Sequence, residues 1–217
     1  GHGHKEITAV CLTHDSCEAV SACVDGTISI WDLRSAVTTG TLSGHEGAVT
    51  AVTTGPTSDP FDIVSGGKDS TLRLWDRRSG VCRLKIEVAC PVRAVAMTST
   101  DELQVSIGLT GLLICGGDDG KVYTYRQGDE DEEGGICRPH STLAAHTGAV
   151  NALDVTKDGS LLASASDDNS AILWNLGMGT SLLKFTNHKS SVTCCKITSD
   201  IKYMATGSLD KTVKVYS

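Results

Sequence analysis

The sequence predicts an all-β fold built from five copies of one short unit, and three observations carry that reading. Thr (24), Gly (23) and Val (18) are abundant while Pro is scarce (4) and aromatics make up 4% of the 217 residues. β-Branched side chains suit a pleated surface and Gly supplies positive φ in tight turns, so this mixture favours short strands over helices. A motif also recurs: DGTISIWD (25–32), DSTLRLWD (69–76), DGKVYTYR (119–126), DNSAILWN (168–175) and DKTVKVYS (210–217). Apolar residues alternate with a period of two between closely spaced turn signals, which a helix cannot satisfy.

In each motif an Asp precedes an aromatic by six positions: Asp25/Trp31, Asp69/Trp75, Asp119/Tyr125, Asp168/Trp174 and Asp210/Tyr216. Four positions before each Asp stand Ser21, Ser65, Cys115, Ser164 and Thr206, a hydroxyl in four repeats of five. Upstream, Gly44-His45, Ala145-His146 and Asn187-His188 are each followed four residues on by Val49, Val150 and Val192. The aromatics are spaced 44, 50, 49 and 42 residues apart, giving a period of about 45. Repeats of approximately 1–43, 44–88, 89–145, 146–187 and 188–217 follow. The second reads VTAV, IVSGG and TLRLWD as strands. The third departs from the pattern, with Val88 for the His, Cys115 for the Ser, Tyr125-Arg126 for Trp-Asp and the acidic insert GDEDEEGG (128–135). It is expected to lack the polar network and to be the least rigid.

On these residues the chain resembles the WD-repeat ("GH…WD") β-propeller family. The resemblance implies four-stranded antiparallel blades stacked radially, because a 45-residue unit cannot bury both faces of its sheet alone. Outer strands are expected within 33–43, 77–88, 136–145 and 176–187, one fewer than the repeats. The chain therefore reads as part of a larger propeller of about seven blades, an open arc being prone to self-association. The resemblance also implies a hydrogen-bonded network in each repeat: His45, Ser65, Asp69 and Trp75; His146, Ser164, Asp168 and Trp174; His188, Thr206, Asp210 and Tyr216, with a phenol in place of the indole. Ser21, Asp25 and Trp31 form the corresponding set of the first repeat, where His4 is out of step.

Composition narrows the function. A net charge of −7 without a basic stripe disfavours nucleic acid as a partner. Nine cysteines, an odd number without a Cys-x-x-Cys pair, read as buried free thiols of a cytoplasmic or nuclear protein. No Asn-x-Ser/Thr acceptor occurs, no apolar run nears the length of a membrane span, and the opening Gly-His-Gly-His does not read as a secretory leader. SGGKDST (65–71) misses the phosphate-loop spacing and leads into a strand. Asp118-Asp119 and Asp167-Asp168 are turn residues and not a convergent acid pair; neither His2-x-His4 nor Cys194-Cys195 makes a metal site. Ser, His and Asp recurring in several repeats read as structure, since a catalytic triad occurs once.

No catalysis, metal or cofactor is expected. The long inserts at 55–62, 98–108 and 128–135 are assigned to one face of the blades, leaving a compact face with the Gly-His and Asp turns. Partner-binding positions there are Lys68, Arg93 and Asn151, with Asp118, Asp167, Glu6, Thr50 and Thr193 around them. The resemblance implies a non-catalytic scaffold or adaptor that binds proteins or peptides, with no membrane and no small-molecule substrate. The alternative is a regulatory or ligand-sensing propeller domain of a larger signalling, NTPase or ubiquitin-ligase protein.

Overall fold

The computed structural model describes residues 5–55, 63–98, 111–126 and 139–217. His2, His4, the acidic run 128–135 and nearly all of the inserts at 55–62 and 98–108 lie outside the described residues. The described chain is all-β, with 19 strands and no helix among the described residues. The strands form five antiparallel meanders in chain order, four of four strands and one of three.

The first blade is β1 (Ile7–Leu12), β2 (Glu18–Cys23), β3 (Thr27–Asp32) and β4 (Val37–Ser43). The second is β5 (Val49–Thr54), β6 (Ile63–Gly67), β7 (Thr71–Trp75) and β8 (Cys82–Glu87). The third comprises β9 (Val92–Met97), β10 (Leu112–Gly117), β11 (Lys121–Arg126) and β12 (Ser141–Ala144). The fourth is β13 (Val150–Val155), β14 (Leu161–Ser166), β15 (Ala171–Asn175) and β16 (Thr180–Phe185). The fifth has β17 (Val192–Ile197), β18 (Met204–Ser208) and β19 (Val213–Tyr216), so β19 is an edge strand in the described chain. These sheets are consistent with the blades of a partial β-propeller.

Packing divides the chain after Met97 into two compact units. In the first, Val20, Ile28, Ile30, Leu42, Val49, Val52, Ile63 and Trp75 form one core. It joins the face of blade one to the strands of blade two, so neither blade buries its apolar surface alone. In the second, Ala163, Ala165 and Ala171 of blade four meet Val192, Cys195 and Met204 of blade five. The middle strands β2 and β6 are buried along nearly their whole length, whereas β4 alternates exposed with partly or fully buried positions, as a half-covered strand does. That explains the unbroken Ile-Val-Ser-Gly-Gly of β6, which shows no alternation in sequence.

Two irregularities repeat. In four blades the pairing of the first two strands skips one residue: Thr8, Thr50, Asn151 and Thr193 each bulge between paired neighbours. A bulge re-aims one side chain out of the pleat. Thr8 Oγ1 donates to Val49 O at 2.5 Å, Thr50 Oγ1 to Val92 O, and Asn151 Nδ2 to Val192 O at 3.1 Å. The bulged residue thus pins the start of its own inner strand to the start of the next. A second skip lies beside the aromatic of blades one, two and four, at Trp31, Trp75 and Trp174.

The turn after each motif Asp places its next residue in the left-handed region: Gly26, Ser70, Gly120, Asn169 and Lys211. Gly26 and Gly120 have a further reason to be glycine. A Cβ on Gly26 would stand 2.6 Å from His45 O, and one on Gly120 2.9 Å from His146 O. The turn therefore packs directly on the Gly-His loop of the following blade.

Candidate functional site

Each unit carries the same buried brace behind its turns. In blade two the Trp75 indole N–H donates to Ser65 Oγ at 2.8 Å, and Ser65 Oγ lies 2.7 Å from His45 Nε2. His45 Nδ1 is 2.9 Å from Asp69 Oδ2, which also accepts the Glu46 N–H at 3.0 Å. One proton arrangement satisfies every group: a neutral imidazole donating from Nδ1 and accepting the Ser65 hydroxyl proton at Nε2. Blade four repeats it, with Trp174 to Ser164 at 2.8 Å, Ser164 to His146 Nε2 at 2.8 Å and His146 Nδ1 to Asp168 at 3.0 Å.

The electrostatics agree with that arrangement. Burial holds the His45 and His146 imidazoles below their ordinary pKa; the facing Asp69 and Asp168 pull upward without overcoming it, and Arg73 and Lys184 reinforce the depression. Burial acts to raise Asp69, but hydrogen bonds from His45, the Glu46 amide and Thr71 outweigh it and keep the carboxylate ionised. Burial likewise acts to raise Asp168, and it is depressed in the same way through Ser170, Thr147 and His146.

Sequence reasoning missed one member of the brace, the hydroxyl two residues after each Asp. Thr71, Ser170 and Thr212 each donate to their Asp, at 2.9, 2.6 and 2.6 Å, and also touch the histidine. Thr27 donates to Asp25 at 2.6 Å. The signal was visible as a hydroxyl in four repeats of five.

The other blades vary. In blade one Trp31 Nε1 donates to Ser21 Oγ at 2.7 Å, and Lys5 pairs with Asp25 at 3.1 Å. In blade five His188 joins Thr206 at 2.8 Å and Asp210 at 2.9 Å. Tyr216 does not take the indole's part there: its buried hydroxyl has no hydrogen-bond partner, and its ring stacks on Phe185 at 4.1 Å. The phenol oxygen lies at the end of the ring while the indole N–H lies at its side, so the swap moves the donor away from Thr206. Blade three, expected to lack polar bracing, holds its turn differently, with the Tyr123 hydroxyl donating to Asp119 at 2.6 Å.

The brace presents the residue before each turn Asp. Val24, Lys68, Asp167 and Leu209 donate their backbone N–H to Glu6 O, Ala48 O, Ala149 O and Ser191 O, at 3.1, 2.9, 3.0 and 2.9 Å. In the first unit Lys68, Arg93 and Glu6 are exposed. In the second, Asp118 and Asp167 are exposed. Asp167 Oδ1 gathers Asn151 Nδ2 at 2.7 Å and Ser191 Oγ at 2.5 Å beside Leu209, which is 66% exposed. Thr50 and Asn151 spend donors on the next blade, and Thr193 Oγ1 donates to Gly207 O at 3.3 Å.

The Ser–His–Asp geometry of blades two and four has triad-like distances but cannot act as a triad. Ser65 and Ser164 are 0% exposed, and each hydroxyl is sealed by an indole N–H where a substrate carbonyl would have to approach. Among the described residues no group of three or more His, Cys, Asp or Glu is placed to hold a metal ion.

Comparison with known proteins agrees with this geometry. The chain matches the family "WD domain, G-beta repeat" over residues 1–32, 36–76, 137–175 and 179–217, leaving the divergent third repeat largely unmatched. It is 31% identical over 118 residues to Protein HIRA of Dictyostelium discoideum, covering 46% of this chain and 11% of that protein. It is 30% identical over 105 residues to actin-interacting protein 1-2 of Arabidopsis thaliana, covering 48% and 16%. It is 34% identical over 80 residues to the small ribosomal subunit protein RACK1z of the same plant, covering 37% and 24%. The matches thus span about a tenth to a quarter of the length of these relatives. WD40 propellers generally act as protein–protein interaction scaffolds and are typically non-catalytic. The matched segments cover well over half of the chain, and their strands, turns and braces are those described above: the chain belongs to the WD40 repeat family.

Proposed function

We propose that this chain is a non-catalytic interaction module of an intracellular complex, binding protein or peptide partners through the braced turns of its blades. The observation that carries the reading is the repeated brace itself. In blades two and four a buried Trp–Ser–His–Asp chain immobilises the turn, so the exposed Lys68 and Asp167 before the Asp are held in place before a partner arrives. Preorganisation of this kind lowers the ordering cost of binding. The names of two of the matched proteins point the same way, one stating an interaction with actin and the other membership of the small ribosomal subunit. Of the eight cysteines of the described residues, Cys23, Cys90, Cys115 and Cys195 are buried as expected, whereas Cys17 and Cys194 are exposed; the cytoplasmic or nuclear setting is part of the proposal.

The proposed contact residues are Glu6, Lys68 and Arg93 in the first unit and Asp118, Asp167 and Thr193 in the second. Thr50 and Asn151 support them from below through their inter-blade hydrogen bonds. The opposite charge of the two sets, Lys68 and Arg93 against Asp118 and Asp167, implies that the units contact different chemistries on a partner. The test is co-purification from native extract with Lys68→Glu/Arg93→Glu and, separately, Asp118→Lys/Asp167→Lys, each checked for an unchanged melting curve. Loss of a defined set of partners by at least one pair supports the reading. Full retention by both, with folding intact, removes the turn face as the binding surface.

A further inference from the structure

Arg73 is a buried cation, 8% exposed, in the middle of β7. Both buried carboxylates of the described residues have an ion partner, and each buried histidine has an Asp beside it. Asp76 pairs with Arg83 at 3.0 Å, Asp154 with Lys196, and the three buried histidines with their aspartates. Arg73 has no carboxylate within ion-pair distance among the described residues. Its Nε donates to Thr71 Oγ1 at 3.2 Å, and the guanidinium lies 5.9 Å from the Trp75 ring centroid. A guanidinium has five N–H donors in a flat fork that matches an oxyanion with two contacts at once. Here one donor is used by the protein.

Arg73 lines a pocket of about 290 Å³. The pocket is also lined by Thr71, Asp69, Lys85, Glu87 and Glu46. Gly44 makes room for the fork, since a Cβ there would stand 2.9 Å from Arg73 Nη1. Asp69 makes no hydrogen bond to Arg73, because its oxygens accept from His45, the Glu46 amide and Thr71, but its negative charge, like that of Glu46, opposes anion entry. Lys85 and Glu87 pair at 3.5 Å with side chains 45% and 71% exposed, a weak contact that an entering anion can replace. Glu46 is exposed at the rim and opposes anion entry.

We infer that the Arg73 pocket of blade two is an oxyanion site, taking an Asp or Glu carboxylate or a phosphoserine phosphate from a protein segment. Arg73 supplies the two-pronged contact, Lys85 turns from Glu87 to add a second positive charge, and Thr71 holds the fork in register. The source being a protein segment rests on the interaction reading above, but the anion site itself does not.

The test is a titration of the ¹⁵N-labelled chain with inorganic phosphate at constant ionic strength, with chloride as control. Saturable shifts are expected at the Thr71 and Arg73 amides and are absent in Arg73→Met, which keeps the side-chain length without the charge. Glu46→Gln tightens binding roughly threefold by removing a like charge at the rim. A purely structural Arg73 predicts no such gain. An acidic peptide and its phosphoserine counterpart, titrated in parallel, separate the two sources. Shifts that do not saturate, or that persist unchanged in Arg73→Met, overturn the site. If Arg73→Met fails to fold, an unchanged affinity in Glu46→Gln overturns it instead. Neither result bears on partner loss at Lys68, Arg93, Asp118 or Asp167, so the two readings fail separately.

Discussion

Blades four and five lie in the same unit, carry the same Asp–His–hydroxyl core, and differ in what closes it. In blade four the Trp174 indole caps Ser164, and Ser170 is buried. In blade five the aromatic is Tyr216, whose hydroxyl is buried without a partner, and Thr212 is exposed. Three of the four core positions are chemically equivalent, yet one blade has a closed chain of donors and the other an open one. Aromaticity at the sixth position after the Asp is therefore not the requirement; a side-pointing N–H is.

The largest expected effect separates the blades at their carboxylates. Asp168→Ala strands the buried His146 N–H, the Thr147 amide and Ser170, and should cost roughly 2–4 kcal/mol. Asp210→Ala removes the same kind of partner where water reaches Thr212, and should cost about half as much. Urea unfolding of both variants measures the difference. Equal losses would mean that the indole-capped brace is no better sealed than its neighbour.

A smaller pair of substitutions has opposite signs. Trp174→Phe takes the donor from buried Ser164 and should destabilise by about 1–2 kcal/mol. Tyr216→Phe removes a buried hydroxyl that bonds to nothing and keeps the ring on Phe185, so it should stabilise by roughly 0.5–1 kcal/mol. Destabilisation by Tyr216→Phe would show that the hydroxyl does have a partner.

How far the sequence foretold this depends on which residues are asked about. The Asp–aromatic spacing and the period of about 45 made the repeats, the strands and the brace positions legible, because they repeat identical local demands. The role of Tyr216 was not legible, since residue type records aromaticity but not where a ring carries its donor. Thr50 and Asn151 read as exposed partner contacts because strand alternation assumes an unbroken pleat. The bulge beside each breaks that alternation and leaves no mark in a period-two pattern. Arg73 was passed over for a similar reason: within an alternating strand a charged residue reads as solvent-facing, whereas here the Gly-His loop of its own blade closes over it.

Acid should test the braces without mutation. His45 and His146 have folded-state pKa values below the ordinary 6.5, so below that value the unfolded chain binds more protons. Stability is then lost as the pH falls from 6.5 toward the folded-state values. The depressed Asp69 and Asp168 add a second loss that begins only below about 4, where the unfolded carboxylates protonate. Melting temperatures should be flat from pH 8 to 7 and fall between pH 6.5 and 5. A His146→Gln variant should show a shallower fall in that window. An identical pH profile in the variant would exclude the imidazole as the source.

The smallest effect concerns the turns themselves. Asn169 of blade four and Lys211 of blade five both sit in the left-handed region, at φ of 65° and 67°. Asn tolerates that conformation through its short polar side chain, whereas Lys bears the full contact of its Cβ with the backbone. Lys211→Asn should therefore stabilise blade five by about 0.5 kcal/mol, and Asn169→Lys should cost blade four a similar amount. The reciprocal design matters because either change alone also alters surface charge near Asp210 or Asp168. Strain relief predicts effects of opposite sign that persist at high salt, while a charge effect fades as ionic strength rises. If both shifts vanish at high salt, the left-handed turn is not strained at Lys211, and the difference between the blades lies wholly in their closing aromatics.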